Sequence, residues 1–180
     1  MKGLHKTPWL EIRRCETERT YLDHQLRILR KLNHGELCKG EIQLAETEGF
    51  YDQLVLRFQA RLLYRAWDLL YPRDERRITA DALVAAGELG IASLWIDNGH
   101  WRERMGVITR IGSVDDTLTV AEWLADQKIP CRLGFSSTGK PQINLGVTGM
   151  SQLVKIARPH THVSMRHRLK PTKEKPPEDS

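Results

Sequence analysis

Residues 87–101 (GELGIASLWIDNGHW) constrain the fold of this chain more than any other stretch. Ala86, Gly90, Ser93 and Asp97 recur at helical spacing through an otherwise apolar run. On a continuous helix they share one face, and interior glycines are costly unless close approach of a second backbone offsets them. The run closes on Asp97-Asn98-Gly99, a carboxylate and a carboxamide beside a glycine suited to a helix C-terminus. The pattern predicts a closely packed helix. Its interface would lie along Ala86, Gly90 and Ser93, and its last turn would deliver polar groups.

Alternating and helical patterns flank this helix on both sides. Residues 8–14 read as a strand, with Leu10 and Ile12 on one face and Trp9, Glu11 and Arg13 on the other. A helix over 17–32 places Leu22, Leu26, Leu29 and Leu32 on its buried stripe and stops at Asn33-His34-Gly35. Residues 40–49 are weakly patterned. A strand over 53–59 points Leu54, Leu56 and Phe58 inward. A helix over 61–70 follows, with Leu62, Leu63, Ala66, Trp67 and Leu70 on one face, and then a charged turn over 71–77.

Beyond the central helix the pattern repeats. A strand covers 106–111, and Thr119 to Glu122 reads as a capping box with Leu118 and Trp123 as its hydrophobic staple. The helix it opens runs to about Gln127. Strands over 131–136 and 142–147 form a hairpin through the turn 137–141. They point Cys131, Leu133 and Phe135, then Ile143, Leu145 and Val147, inward. A last helix over 150–157 ends at Pro159.

This order predicts an α+β fold with helices packed on one face of antiparallel strands. The other face carries Glu11, Arg13, Gln53, Arg57, Gln59, Arg110, Arg132, Lys140, Gln142 and Asn144. Arginine pairs with guanine, and glutamine or asparagine with adenine, so these are side chains that read base edges. Charge agrees. The net charge is +5, and Lys155, Arg158, Arg166, Arg168, Lys170, Lys173 and Lys175 stand against Glu174 alone over 155–175. With no accompanying apolar moment, the cluster favours nucleic acid over a membrane.

Other classes recede. Cys15, Cys38 and Cys131 show no paired spacing, which points to a reducing, intracellular compartment and to no zinc site. No apolar run reaches membrane length, and residues 1–8 are too polar for a signal peptide. His160, His162 and His167 lack further ligands at metal-binding spacing. Residues 172–180 are proline-rich and charged, the composition of a disordered tail.

Residues 91–99 resemble the signature of the LAGLIDADG homing endonucleases in the character of each position. Further pieces follow in that family's order: Thr20-Tyr21-Leu22 before a leucine-rich helix, Leu70-Tyr71-Pro72 with Arg76-Arg77, and Gly139-Lys140-Pro141 before a strand. Arg158-Pro159 and the closing SMRHRL of 164–169 complete a likeness that spans about residues 9–171. The resemblance implies two repeats whose signature helices pack together at the centre, each followed by a DNA-binding saddle of antiparallel strands. It implies cleavage of long DNA sites with Mg²⁺ held by one acidic residue from each helix end, the metal activating water and stabilising the leaving oxygen. On that frame residues 1–8 are a stub, 9–77 a first repeat without its signature helix, 78–171 a second repeat and 172–180 a tail.

The chain departs from the family in its chemistry. It carries one signature, with Lys2-Gly3-Leu4 as the stub of the other. The metal-ligand position falls on Asn98, with Asp97 beside it as the nearest carboxylate. Lysines that assist the family's chemistry align with Arg77 and Arg168, which hold phosphate but do not release a proton near neutral pH. The expectation is a homing-endonuclease-like DNA-binding protein with reduced or lost double-strand cleavage, using Mg²⁺ only where it still cuts. Two other readings stay open. One is an active Mg²⁺-dependent endonuclease completed by a partner chain or homodimer through the signature helix. The other is a maturase that binds intron RNA.

Overall fold

The computed structural model describes residues 8–33, 38–45, 53–71 and 75–170. The expected stub (residues 1–7), His34-Gly35, residues 46–50, residues 72–74 of the charged turn and the tail lie outside them. The chain divides into two compact units, Met1–Tyr71 and Pro72–Ser180.

The first unit runs β1 (Trp9–Cys15), α1 (Arg19–Leu32), β2 (Lys39–Ala45), β3 (Gln53–Gln59) and α2 (Leu63–Leu70). Its sheet has the order β1-β3-β2 and is antiparallel throughout. Register sets Leu10, Phe58 and Gly40 in one transverse row and Ile12, Leu56 and Ile42 in the next. These rows form the face on which Leu22 and Leu26 of α1 pack. Each fully buried aliphatic or aromatic side chain contributes roughly 1.5–3 kcal/mol relative to exposure.

β2 occupies the stretch that carries little pattern, and Gly40 is the reason. A Cβ there would stand 2.7 Å from Leu26 Cδ1 and 2.9 Å from Phe58 Cδ2, so neighbouring side chains fill the place where an apolar residue would have marked the strand. The α1 stripe is shorter than expected: Leu22 and Leu26 are buried, while Leu32 is exposed. On α2 only Leu63 is buried, and the Trp67 ring stacks on Tyr71 with centroids 4.0 Å apart.

The second unit runs α3 (Ala80–Asn98), β4 (Gly99–Arg102), β5 (Met105–Ile108), α4 (Val114–Asp126), β6 (Cys131–Phe135), β7 (Pro141–Leu145) and α5 (Val147–His160), then a 3-10 turn (Val163–Leu169). Its antiparallel sheet has the order β4-β5-β7-β6. Ile108, Ile143 and Leu133 make one helix-facing row, and Gly106, Leu145 and Cys131 the next. Ile91, Trp95 and Ile96 of α3, Leu124 of α4 and Leu153 of α5 are fully buried with them. The succession β5-α4-β6-β7-α5 repeats β1-α1-β2-β3-α2, and the sheet order β5-β7-β6 repeats β1-β3-β2. Among the described residues the first unit has no counterpart of α3 and β4.

Several local expectations change. Gly87 breaks α3 with φ 53° and ψ −149°, a left-handed conformation that glycine adopts without steric cost. Ala86 therefore does not share a helix face with Gly90. Its Cβ instead lies 2.5 Å from where a Gly90 Cβ would stand, with the Trp123 ring 3.5 Å away. The close approach that Gly90 permits is made by the chain's own Ala86.

The α4 capping box sits earlier than expected. Ser113 Oγ accepts from Asp116 N at 3.1 Å, and the Asp116 carboxylate accepts from Ser113 N at 3.0 Å. Asp115 and Asp116 then complement the dipole in the first turn. Thr119, expected as the cap, lies inside the helix and donates to Asp115 O at 2.9 Å, and Trp123 is core rather than staple. Strand β5 ends at Ile108, two four-residue strands (β4 and β5) replace the single one expected, and Val147 opens α5 instead of closing β7. Pro159 lies in the last turn of α5 rather than just beyond it.

Candidate nucleic-acid interface

Each sheet keeps one face clear of its unit's helices. In the first unit, register places Trp9, Gln59 and Lys39 in one row of that face. Glu11, Arg57 and Glu41 form the next row, then Arg13, Val55 and Gln43, then Cys15, Gln53 and Ala45. The expected readers Arg13, Gln53, Arg57 and Gln59 thus stand on one surface.

Their charges are organised. One Glu11 oxygen accepts from Arg13 Nε at 2.8 Å, and the other accepts from Arg57 Nε at 3.2 Å. The Arg57 guanidinium also lies over the Trp9 ring, 5.3 Å from its centroid. Hydrogen bonds from Arg13 and then Arg57 hold the Glu11 carboxyl below its ordinary range.

In the second unit His100, Val107, Asn144 and Arg132 form one transverse row, and Arg102 stands opposite Met105. Arg132 is exposed in that row, and Asn144 lies between it and Val107. A cleft of about 450 Å³ opens at this end of the sheet, with Arg102, Arg132, Asn144 and Thr148 among its walls. Lys140 is exposed in the β6–β7 turn, where its carbonyl accepts from Ser136 N at 2.9 Å. Burial, and then the charge of Arg102, lower the pKa of His100, which keeps that imidazole neutral near pH 7.

Two expected readers stand differently. Arg110 follows the end of β5 with φ 60°, so it lies outside the sheet. Gln142 is on the open side but only 4% exposed, and its Nε2 donates to Asn144 Oδ1 at 2.9 Å. It supports Asn144 from below rather than presenting its own amide. Phe135, expected inward, is 57% exposed at the end of β6.

Helix α3 ends where β4 begins. Asn98 O accepts from Thr109 N at 3.0 Å, which extends the β4–β5 ladder by one pair. Asn98 is half-buried and Asp97 exposed, with Ser93 half-buried a turn earlier. Arg168 is brought to this end from far along the chain: its Nη1 donates to Ile96 O at 3.1 Å. A cation on last-turn carbonyls complements the helix dipole. The Arg168 carbonyl in turn accepts from Trp95 Nε1 at 2.9 Å and Trp101 Nε1 at 3.0 Å. The indoles meet edge to face, with centroids 5.7 Å apart. The resemblance singled out Arg168 but not the tryptophans that seat it. Arg77 lies before α3 as an exposed side chain paired with Glu75 at 3.3 Å, at the start of the helix instead of its end.

This helix end does not fit Mg²⁺. Magnesium is held by one or two carboxylates with water and phosphate oxygens. Asn98 at the expected ligand position is neutral, and successive residues of a helix are turned about 100° apart, so Asp97 does not take its direction. Among the described residues no three His, Cys, Asp or Glu side chains are grouped to hold a metal ion. Burial raises the pKa of Cys131, which leaves its thiol protonated and inert. Among the described residues no helix is long and apolar enough to cross a membrane.

No protein-family model matches the sequence, and no curated protein matches it. The fold does match. The homing endonuclease I-WcaI, solved bound to its DNA recognition sequence, is similar with a TM-score of 0.73 over 95% of this chain and 79% of that one, at 13% identity. The α+β homing-endonuclease fold expected from the sequence is the fold observed.

Proposed function

We propose that the chain binds double-stranded DNA through the open faces of its two sheets, as a protein of homing-endonuclease type whose double-strand cleavage is reduced or lost. Arg13 and Arg57 in the first unit, and Arg102, Arg132 and Asn144 in the second, supply donors for base edges and phosphates. Arg168, seated on the end of α3, brings fixed positive charge to the place where the scissile phosphate would lie. The observation that carries the loss of cleavage is Asn98: a neutral carboxamide brings no charge to offset a divalent cation.

One experiment tests this reading. Duplex binding by the full chain is followed over a salt series, and plasmid carrying the gene's own flanking DNA is incubated with protein and Mg²⁺. Binding is expected to fall steeply with salt, each neutralised phosphate adding about 0.9 to the log–log slope. The wild-type chain alone is expected not to cut, and Asn98→Asp to raise cleavage. Cutting by the wild type alone overturns the loss of cleavage. Salt-insensitive duplex binding, or tighter binding to structured intron RNA than to any duplex, overturns the DNA reading.

A further inference from the structure

We infer that Glu11 is a positioning residue for sequence readout, holding Arg13 and Arg57 as preset forks for guanine while keeping this row of the sheet off the phosphate backbone. The inference rests on the DNA-binding reading above and says which part of the duplex the first unit addresses. A carboxylate in the middle of a surface meant for a polyanion is electrostatically out of place, and here it is not alone. Glu11, Arg57 and Glu41 lie side by side across all three strands, so the row carries two acids to one base. Counted with Arg13, which pairs with Glu11, the cluster has no net charge to draw it onto phosphate. It is compatible with the floor of the major groove, where guanine offers two acceptors to a planar guanidinium and cytosine offers an amino donor to a carboxylate.

The geometry around Glu11 is what presetting requires. Each oxygen takes a different arginine through Nε, at 2.8 Å and 3.2 Å, which fixes the plane of each guanidinium from one edge. The terminal nitrogens of Arg57 are not used in that bond, and for Arg13 one Nη also reaches Glu11 at 2.8 Å. Trp9 lies under Arg57 at 5.3 Å and blocks its collapse toward the strand end. The side chains remain open to a ligand, with Arg13 56% and Arg57 39% exposed. Ordering a long flexible side chain opposes binding, and a side chain already ordered escapes that loss. Free arginines on the same face would still bind DNA, but by falling onto the nearest phosphate.

The test compares the full wild-type chain with Glu11→Gln and Arg57→Lys. Each protein selects from a random duplex library, and affinity is then measured for the selected duplex and for a scrambled duplex of equal length. Wild type is expected to select guanine at one or two positions that Arg57→Lys, with charge kept and fork lost, no longer selects. Glu11→Gln is expected to lower the ratio of selected to scrambled affinity about 5- to 150-fold, the range of one well-formed bidentate contact. Its affinity for scrambled duplex should hold or rise, with a salt slope steeper by about one counterion for each released arginine. Unchanged discrimination in Glu11→Gln overturns the inference and leaves DNA binding intact. Parallel loss of both affinities also overturns it, because that is the signature of a merely structural role. If wild type binds no duplex, the DNA reading falls and this inference falls with it.

Discussion

Gly90→Ala tests the packing of α3 at its tightest point. In an ordinary helix interior the change stabilises by about 0.5–1 kcal/mol, because alanine loses less backbone freedom on folding. At position 90 the new methyl would stand 2.5 Å from Ala86 Cβ, against a carbon–carbon optimum of about 3.5–4.0 Å, so the two carbons overlap by about 1 Å. Retreat toward the core is closed, since the Trp123 ring is already at 3.5 Å and that tryptophan is buried. Overpacking of this kind costs about 1–3 kcal/mol, which exceeds the propensity gain and leaves a net loss of about 1–2 kcal/mol. Urea unfolding monitored by tryptophan fluorescence measures it. Ala86→Gly removes the opposing methyl, so the double variant should recover at least about 1 kcal/mol of the loss as a coupling term. Stabilisation by Gly90→Ala alone, or strict additivity with Ala86→Gly, refutes the reasoning and returns the small residues to an outside partner.

Further outcomes follow from the caps and the indole pair. Burial raises the Asp116 pKa, but hydrogen bonds from Ile78 N, Ser113 N and Ser113 Oγ, with Arg76 nearby, outweigh it and hold the carboxyl below its ordinary value of 3.8. The native state therefore favours the charged form, and the stabilisation is complete above that ordinary value and lost as pH falls through the lower folded one. Asp116→Asn should cost about 1–2 kcal/mol at pH 7 by urea unfolding, with the gap to wild type closing below about pH 4; a gap that persists at acid pH contradicts the cap. Trp101→Phe removes one of the donors to the Arg168 carbonyl and should cost about 1–2 kcal/mol in the same assay. No change would mean the carbonyl is satisfied by Trp95 alone.

Legibility followed the range of the interaction. Strands β1 and β3 were readable because Leu10 and Ile12, and then Leu54, Leu56 and Phe58, recur at every second position. β2 was not, because at Gly40 the neighbours' side chains occupy the inward position and leave no apolar letter. The start of α4 was misplaced at Thr119, because the box that caps it, Ser113 with Asp116, is accompanied by a contact outside the local pattern, Ile78 N to Asp116. The break at Gly87 was invisible because apolar spacing continues through it. Glu11, Arg13 and Arg57 were legible as one face, but their pairing depends on the β1–β3 register, which periodicity does not supply. Arg168 stood out only through its place in a resemblance, since its partner Ile96 is 72 residues away.

That distance has a consequence for the order in which the chain can mature during synthesis. The first unit draws its core from residues up to Leu63, so its sheet and α1 can close as soon as β3 has emerged. The end of α3 has no such freedom. Trp95, Ile96 and Trp101 are made early, yet the groups that satisfy their indole and carbonyl atoms arrive with Arg168, 67 to 73 residues later. Such late, non-local contacts make folding slow and leave apolar surface open while it waits. The segment around Arg168 is therefore a latch set last, and a ribosome stalled before it would hold a nascent chain whose first unit is finished and whose helix α3 still has an unfastened end.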